Sequence, residues 1–269
     1  MSSDRDRATP RLRVVPVNDA EAVEIRKLLG EQGEAVAVSR QRWGASWAGL
    51  EPEVRAAIAA FRQAHPGGLI YGVELSGPDP YGAVNIDHHR YGDEDRGQAA
   101  SSLEQVAALV PGAVPLGRWR NLVALNDRGY IPAMESAGAT WAEIEAVRRA
   151  DREAQGVTAE QEAAAERDLA KRAEFSADGQ RVRVECPDGS SAAHADRLYG
   201  RAREILLMAP GEWNYYGPRH RELAARFAGR RGCWSGGAEA SGYFGIAAPD
   251  EAERRGVRAW WEAVGRESG

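Results

Sequence analysis

Long apolar runs are missing from this 269-residue chain, and so is any excess of basic charge. No stretch approaches the roughly 18 residues that a bilayer-spanning helix needs, which excludes that class of membrane protein. Cysteine occurs only twice. Cys186 and Cys233 are too few for a disulfide framework or a thiolate zinc cluster. Lys and Arg total 35 against 40 Asp and Glu, a formal charge of −5. That balance argues against a broad basic surface for extended duplex nucleic acid. The opening "MSSDRDRATPRLR" has no apolar centre and does not read as a secretory signal. We expect a disordered lead over 1–10 and a reduced, cytoplasmic protein with no membrane partner.

What is present is an alternation of strand and helix. "RLRVVPV" (11–17) reads as a strand from its β-branched content. "NDAEAVEIRKLLGEQG" then spaces Ala22, Ile25, Leu28 and Leu29 on one helix face, with Asn18 or Asp19 as N-cap. "EAVAVS" (34–39), "LIYGVEL" (69–75) and "AVNID" (83–87) read as further strands, with "EPEVRAAIAAFRQAH" a helix between the second and third. This spacing predicts an α/β domain with a parallel sheet, whose ligands gather at the carboxyl ends of the strands. From residue 101 the pattern is helical, and "TAEQEAAAERDLAKRAEF" reads as a solvent-facing connector. Charge is uneven: residues 135–170 hold nine acids and four Arg, whereas 181–231 hold ten Arg and six acids. The expected organisation is a catalytic domain over 11–150 and a helical connector over 151–179. A smaller α/β substrate-binding domain over 180–250 and a C-terminal helix over 251–269 complete it, with the boundary near 174–180.

Histidine occurs five times, and two of the five are adjacent in "NIDHH", where the fourth strand ends. Other strand ends carry acids: Asp19 and Glu21 after the first, Glu74 after the third, Asp87 with His88 and His89 after the fourth. Asp127 closes the apolar stretch "NLVALN". Each has an ordinary reading, as a cap, a first-turn acid or a turn residue. Their joint placement is what points to a shared cation site. Oxygen donors with a minority of nitrogen suit manganese or magnesium, with zinc left open.

These residues resemble the DHH phosphoesterase superfamily, whose Asp-His-His signature follows a strand. "VPVNDAEAVEI" is similar to the family's first motif, with Glu21 in place of its second aspartate and without the histidine that usually precedes it. Glu74 in "YGVEL" stands for the second motif's aspartate, and Asp127 for the fourth motif. "WSGGAEASGYFGI" resembles the glycine-rich stretch of the associated C-terminal domain, with Ala238 and Glu239 in place of glycine and histidine. "GPRHRELAARF" resembles its arginine-bearing helix. The resemblance implies a metal site in the cleft between two domains, with two manganese or magnesium ions, or one. Asp19, Glu21, Glu74, Asp87, His88 and Asp127 would be ligands. His89 would act on the substrate beside Asp87 and His88, and Arg219, His220, Ser235, Gly236 and Gly237 would hold its phosphate.

The expected activity is metal-dependent hydrolysis of a phosphodiester or phosphoanhydride in a small nucleotide-like substrate or short oligonucleotide. Two alternatives stay open: a degenerate nucleotide or phosphate binder on the same fold, and a one-metal enzyme of another hydrolytic class. Trp213, Tyr215 and Tyr216 beside Arg219 could stack a nucleobase or pack a core. Trp260 and Trp261 are expected to pack on the body or at a homodimer contact. Cys233 reads as a buried filler.

Overall fold

A computed structural model describes residues 9–267, apart from 43, 89, 92, 93, 96–99, 111, 113 and 237–241. His89 and Gly237 therefore lie outside the described residues, as does the lead over 1–8. The chain forms two compact units, 1–156 and 157–269.

The first unit is built on four parallel strands: β1 (Arg11–Val15), β2 (Ala35–Val38), β3 (Leu69–Val73) and β4 (Val84–Ile86). They are ordered β2-β1-β3-β4. Successive pairings such as Val14 with Ala37 and Gly72 set the register. The chain leaves β1 toward β2 on one side and returns to β3 on the other. The strand order therefore switches between β1 and β3, the place where α/β sheets open a crevice at their carboxyl ends. Two short strands, β5 (Arg90–Tyr91) and β6 (Glu94–Asp95), pair separately.

Helix α1 (Ala20–Glu31) begins at Asp19, whose carboxylate accepts the Ala22 N–H. It buries Ala22, Ile25, Leu28 and Leu29, the face expected from their spacing. Helix α2 (Pro52–Ala64) starts with proline at its first turn and turns Val54, Ile58 and Phe61 into a core with Leu12, Val14, Trp47 and Ile70. Helices α3 (Ser102–Leu109), α4 (Arg118–Ser136) and α5 (Trp141–Ala154) all pack against α1 or each other. Capping boxes start α3 at Ser101 with Glu104 and α5 at Thr140 with Glu143. Helix α4 is broken at Gly129 and Tyr130, just before Pro132, whose ring nitrogen has no hydrogen to continue the ladder.

The second unit opens with α6 (Ala159–Arg172). This corrects the expected boundary at 174–180 and the solvent-facing connector. Ala164, Ala165 and Asp168 are buried, and α6 packs on β8 (Arg181–Glu185) and α7 (Ser191–Leu198). Ala-rich sequence on one helix face gave close approach rather than exposure. Asp168 also meets the fully buried His194 of α7, whose Nε2 lies 3.2 Å from it.

The second sheet adds β7 (Ala173–Phe175), β9 (Glu204–Met208), β10 (Glu212–Gly217), β11 (Cys233–Gly236) and β12 (Gly242–Ala247), in the order β11-β12-β10-β9-β8-β7. It is mostly antiparallel, with β8 and β9 the parallel pair. Strand β9 alternates: Leu206 and Met208 join one core, Ile205 and Leu207 the other. Helix α8 (His220–Arg226) and the tail helix α9 (Glu251–Glu267) cover the first core. "EWNYYG" is thus a strand, and Trp213 and Tyr215 are buried core residues, which removes them as base-stacking platforms. Trp260 and Trp261 are also buried, beside Tyr215, and pack on the body of this same unit. Among the described residues, no helix is long and apolar enough to cross a membrane.

Candidate metal centre

Because β1, β3 and β4 run parallel, the residues that follow them emerge at one edge of the sheet. Glu21 lies in the first turn of α1, Glu74 directly follows β3, and His88 comes two residues after β4. Asp127 reaches the same place from the interior of α4. One ligand atom from each of Glu21, Glu74, His88 and Asp127 lies within 4.8 Å of the others. His88 Nε2 stands 3.9 Å from Glu21 Oε2 and 3.7 Å from Glu74 Oε1, and it contacts Asp127 Oδ2 directly. Glu21 and Glu74 are buried, and the His88 side chain nearly so. Three carboxylates and one imidazole form an oxygen-rich set that fits a hard divalent cation such as manganese or magnesium.

Hydrogen bonds from neighbouring segments hold Glu21 and Glu74. Glu21 Oε1 accepts the Leu103 N–H at 3.0 Å, tying it to the start of α3. Asn18 donates through Nδ2 to Glu74 Oε2 at 2.9 Å. Glu74 has a left-handed backbone (φ 50°), while its N–H still donates to the Ile86 carbonyl. For a residue with a Cβ this conformation costs about 1–2 kcal/mol. Such strain is commonly held at functional sites by surrounding structure. Tyr130, three residues after Asp127, has φ 58° and ψ −152°, a region that side chains other than glycine avoid.

The electrostatics are those of crowded acids out of water. Burial pushes the Glu21 carboxyl well above the usual carboxylate range, and the charges of Asp127 and Glu74 add to it. Asp19 is raised in the same direction, first by burial and then by Glu74, Asp127 and Asp151. A divalent cation would reverse this preference by favouring the ionised forms.

Asp19 and Asp87 stand outside the four-donor cluster. Asp19 spends Oδ1 on the Ala22 N–H at 2.8 Å as the cap of α1. Asp87 is buried, and its backbone carbonyl accepts the Gln105 side-chain amide at 3.0 Å. In the second unit, Arg219 is half-buried and lies 3.9 Å from Glu204 and 3.5 Å from Glu222. His220 is buried against the Gly217 carbonyl, with Gly242 packed on its ring. Ser235 and Gly236 lie on β11.

The chain matches no protein-family model and no curated protein by sequence. By structure it is similar to an exopolyphosphatase-related protein from Bacteroides fragilis, at TM-score 0.52 and 14% identity over 96% of this chain and 92% of that one. It is similar also to the DHH domain of a member of a ribosomal-protein family, at TM-score 0.54 and 11% identity over 96% and 87%. The fold is DHH-like. A manganese-bound exonuclease RecJ aligns over 97% of this chain and 91% of its own, at 16% identity and TM-score 0.48. At these identities the likeness extends to the DHH-like fold alone.

Sequence reasoning overlooked the side chains behind the donors: Asn126, Arg148 and Asp151, all buried. One signal was available. Ile144, Val147, Arg148 and Asp151 share the buried stripe of α5, so two charged residues occupy apolar positions of an amphipathic helix.

Proposed function

We propose that the protein is a divalent-cation-dependent phosphoesterase acting on a phosphodiester or phosphoanhydride bond of a small nucleotide-like substrate. The observation that carries this reading is the approach of Glu21, Glu74, His88 and Asp127, from four separate segments, to within 4.8 Å of one another. These four would hold the cation, with Asp19 and Asp87 as flanking carboxylates. When bound, a divalent cation supplies Lewis-acid stabilisation of charge developing on phosphoryl oxygens. His89 is proposed to protonate the leaving oxygen. In the second unit, Arg219, Ser235, Gly236 and Gly237 are proposed to hold phosphate through a guanidinium and backbone N–H groups. The buried His220 is left to a packing role.

The test is hydrolysis of bis-p-nitrophenyl phosphate by chelator-stripped protein before and after adding manganese, with metal content measured in parallel. Cation-dependent release of p-nitrophenolate, abolished in Asp127→Ala, is the expected result. Protein that retains no manganese or magnesium under any loading condition would end the proposal.

A second reading is binding without turnover. The Asn18 amide on Glu74 favours it, since one carboxylate oxygen is already engaged where the family resemblance places a histidine nearby. Manganese retention and nucleotide binding without hydrolysis of any phosphoester would decide for it.

A further inference from the structure

Behind the four donors, α5 carries a buried ion pair. Arg148 Nη1 donates to Asp151 Oδ2 at 2.7 Å, and both residues are more than nine-tenths buried. Each also reaches a different donor-bearing helix. Asp151 Oδ1 accepts the Ala20 N–H at 3.1 Å, between the cap Asp19 and the donor Glu21. Arg148 Nη1 donates to Asn126 Oδ1 at 2.9 Å, directly before the donor Asp127. The Arg148 guanidinium also lies over the Tyr130 ring, 4.6 Å from its centroid, where α4 is broken. Gln155 completes the set by donating to Asp151 Oδ2 at 3.0 Å.

We infer that Arg148 and Asp151 are positioning residues, which brace the start of α1 against α4 and so set the spacing between Glu21 and Asp127. The inference rests on the proposed cation site. Its physical basis is mutual repulsion. Glu21, Glu74 and Asp127 repel one another when ionised with no cation between them, and they would splay α1 and α4 apart unless something outside the cluster tied them together. A buried ion pair is a poor source of stability, because desolvation offsets most of its Coulomb attraction. It does impose direction, and its hydrogen bonds here run to one backbone amide of α1 and one side chain of α4. An apolar pair of equal volume would fill the space without fixing that distance.

The experiment uses the full chain with Mn2+ as the probe. Manganese affinity is measured by calorimetric titration, and the bound ion's zero-field splitting by electron paramagnetic resonance. The variants are Asp151→Asn and Asn126→Ala. The second removes only the hydrogen bond toward α4, so it keeps the test decisive should Asp151→Asn fail to fold. Phe61→Leu, in a core that includes none of the brace residues, serves as a control that lowers stability without touching the brace.

Partners outside the ligand sphere typically contribute a factor of roughly 10–100 in metal affinity, and a loss on that scale is expected for both variants. A changed splitting and wild-type circular dichroism should accompany it, with Phe61→Leu binding Mn2+ as the wild type does. Folded variants with wild-type affinity and spectrum would overturn the brace while leaving the cation site intact. A wild-type protein that binds no Mn2+ would overturn the site itself, and the brace with it.

Discussion

Removing the cation should make this protein less stable as pH rises above the usual carboxylate range. Asp19 and Glu21 are both pushed well above the usual carboxylate range, chiefly by burial. In the unfolded chain the same groups titrate at roughly 3.9 and 4.3. Above roughly pH 4 the native state therefore holds more protons than the unfolded state, and raising the pH favours unfolding. The stabilisation is full below the unfolded values and is lost as pH climbs toward the raised native ones. Each proton held only by the native state contributes a slope of about 1.4 kcal/mol per pH unit. Two groups set an upper limit of about 2.7 kcal/mol per pH unit, reached only where both are protonated in the native and ionised in the unfolded chain.

Manganese should flatten this dependence, because a bound cation keeps the carboxylates ionised and expels their protons. At about a hundredfold excess over Kd it should add about 2.7 kcal/mol to the first unit's stability. Differential scanning calorimetry in chelator and in manganese, from about pH 5 to about pH 8, reads both effects, and a pH-stat records the protons released on binding. Apoprotein whose first-unit transition rises steadily across that interval, with no proton release on adding manganese, would refute the reasoning.

Other consequences are as definite. Asp127→Asn and His88→Ala should each weaken manganese binding by more than the roughly 10–100-fold expected for outer partners, with far-UV circular dichroism unchanged, as equilibrium dialysis would show. Gly72→Ala should destabilise the first unit by about 1–3 kcal/mol in urea titration. Its Cβ would stand 2.2 Å from Cζ2 of the buried Trp47. Burial pushes the Cys186 thiol up to about 12, so at neutral pH a thiol reagent should modify Cys233 first and Cys186 only after denaturation, as peptide mass mapping would reveal.

Local patterns carried a good deal of this architecture. The alternation of short β-branched runs with Ile25–Leu28–Leu29 and Val54–Ile58–Phe61 stripes announced a parallel sheet between helices. Donors at strand ends followed, since parallel strands must deliver their carboxyl ends to one edge. Where the patterns failed, a tertiary contact decided. Helix α6 looked solvent-facing because alanine and charge dominate it, yet its Ala164 and Ala165 are what let β8 and α7 approach closely. "EWNYYG" left base stacking and core packing open, because aromatics and arginine cluster there. Its alternation, Trp213 and Tyr215 inward, is that of a strand. For Asp127 a turn acid was one of two open readings; the helix runs through it and breaks only at Gly129.

The candidate site divides along the same line. By itself, the sequence determined which residue types stood at strand ends and that they were acids and histidines, because backbone periodicity is a local property of the chain. Only the tertiary structure decided that Glu21, Glu74, His88 and Asp127 each bring a potential ligand atom within 4.8 Å of the others, while Asp19 caps α1. It alone placed Arg148 and Asp151 behind them. Which side chains meet depends on sheet order, helix packing and the break in α4, and those are fixed by burial and hydrogen bonding between segments up to 131 residues apart.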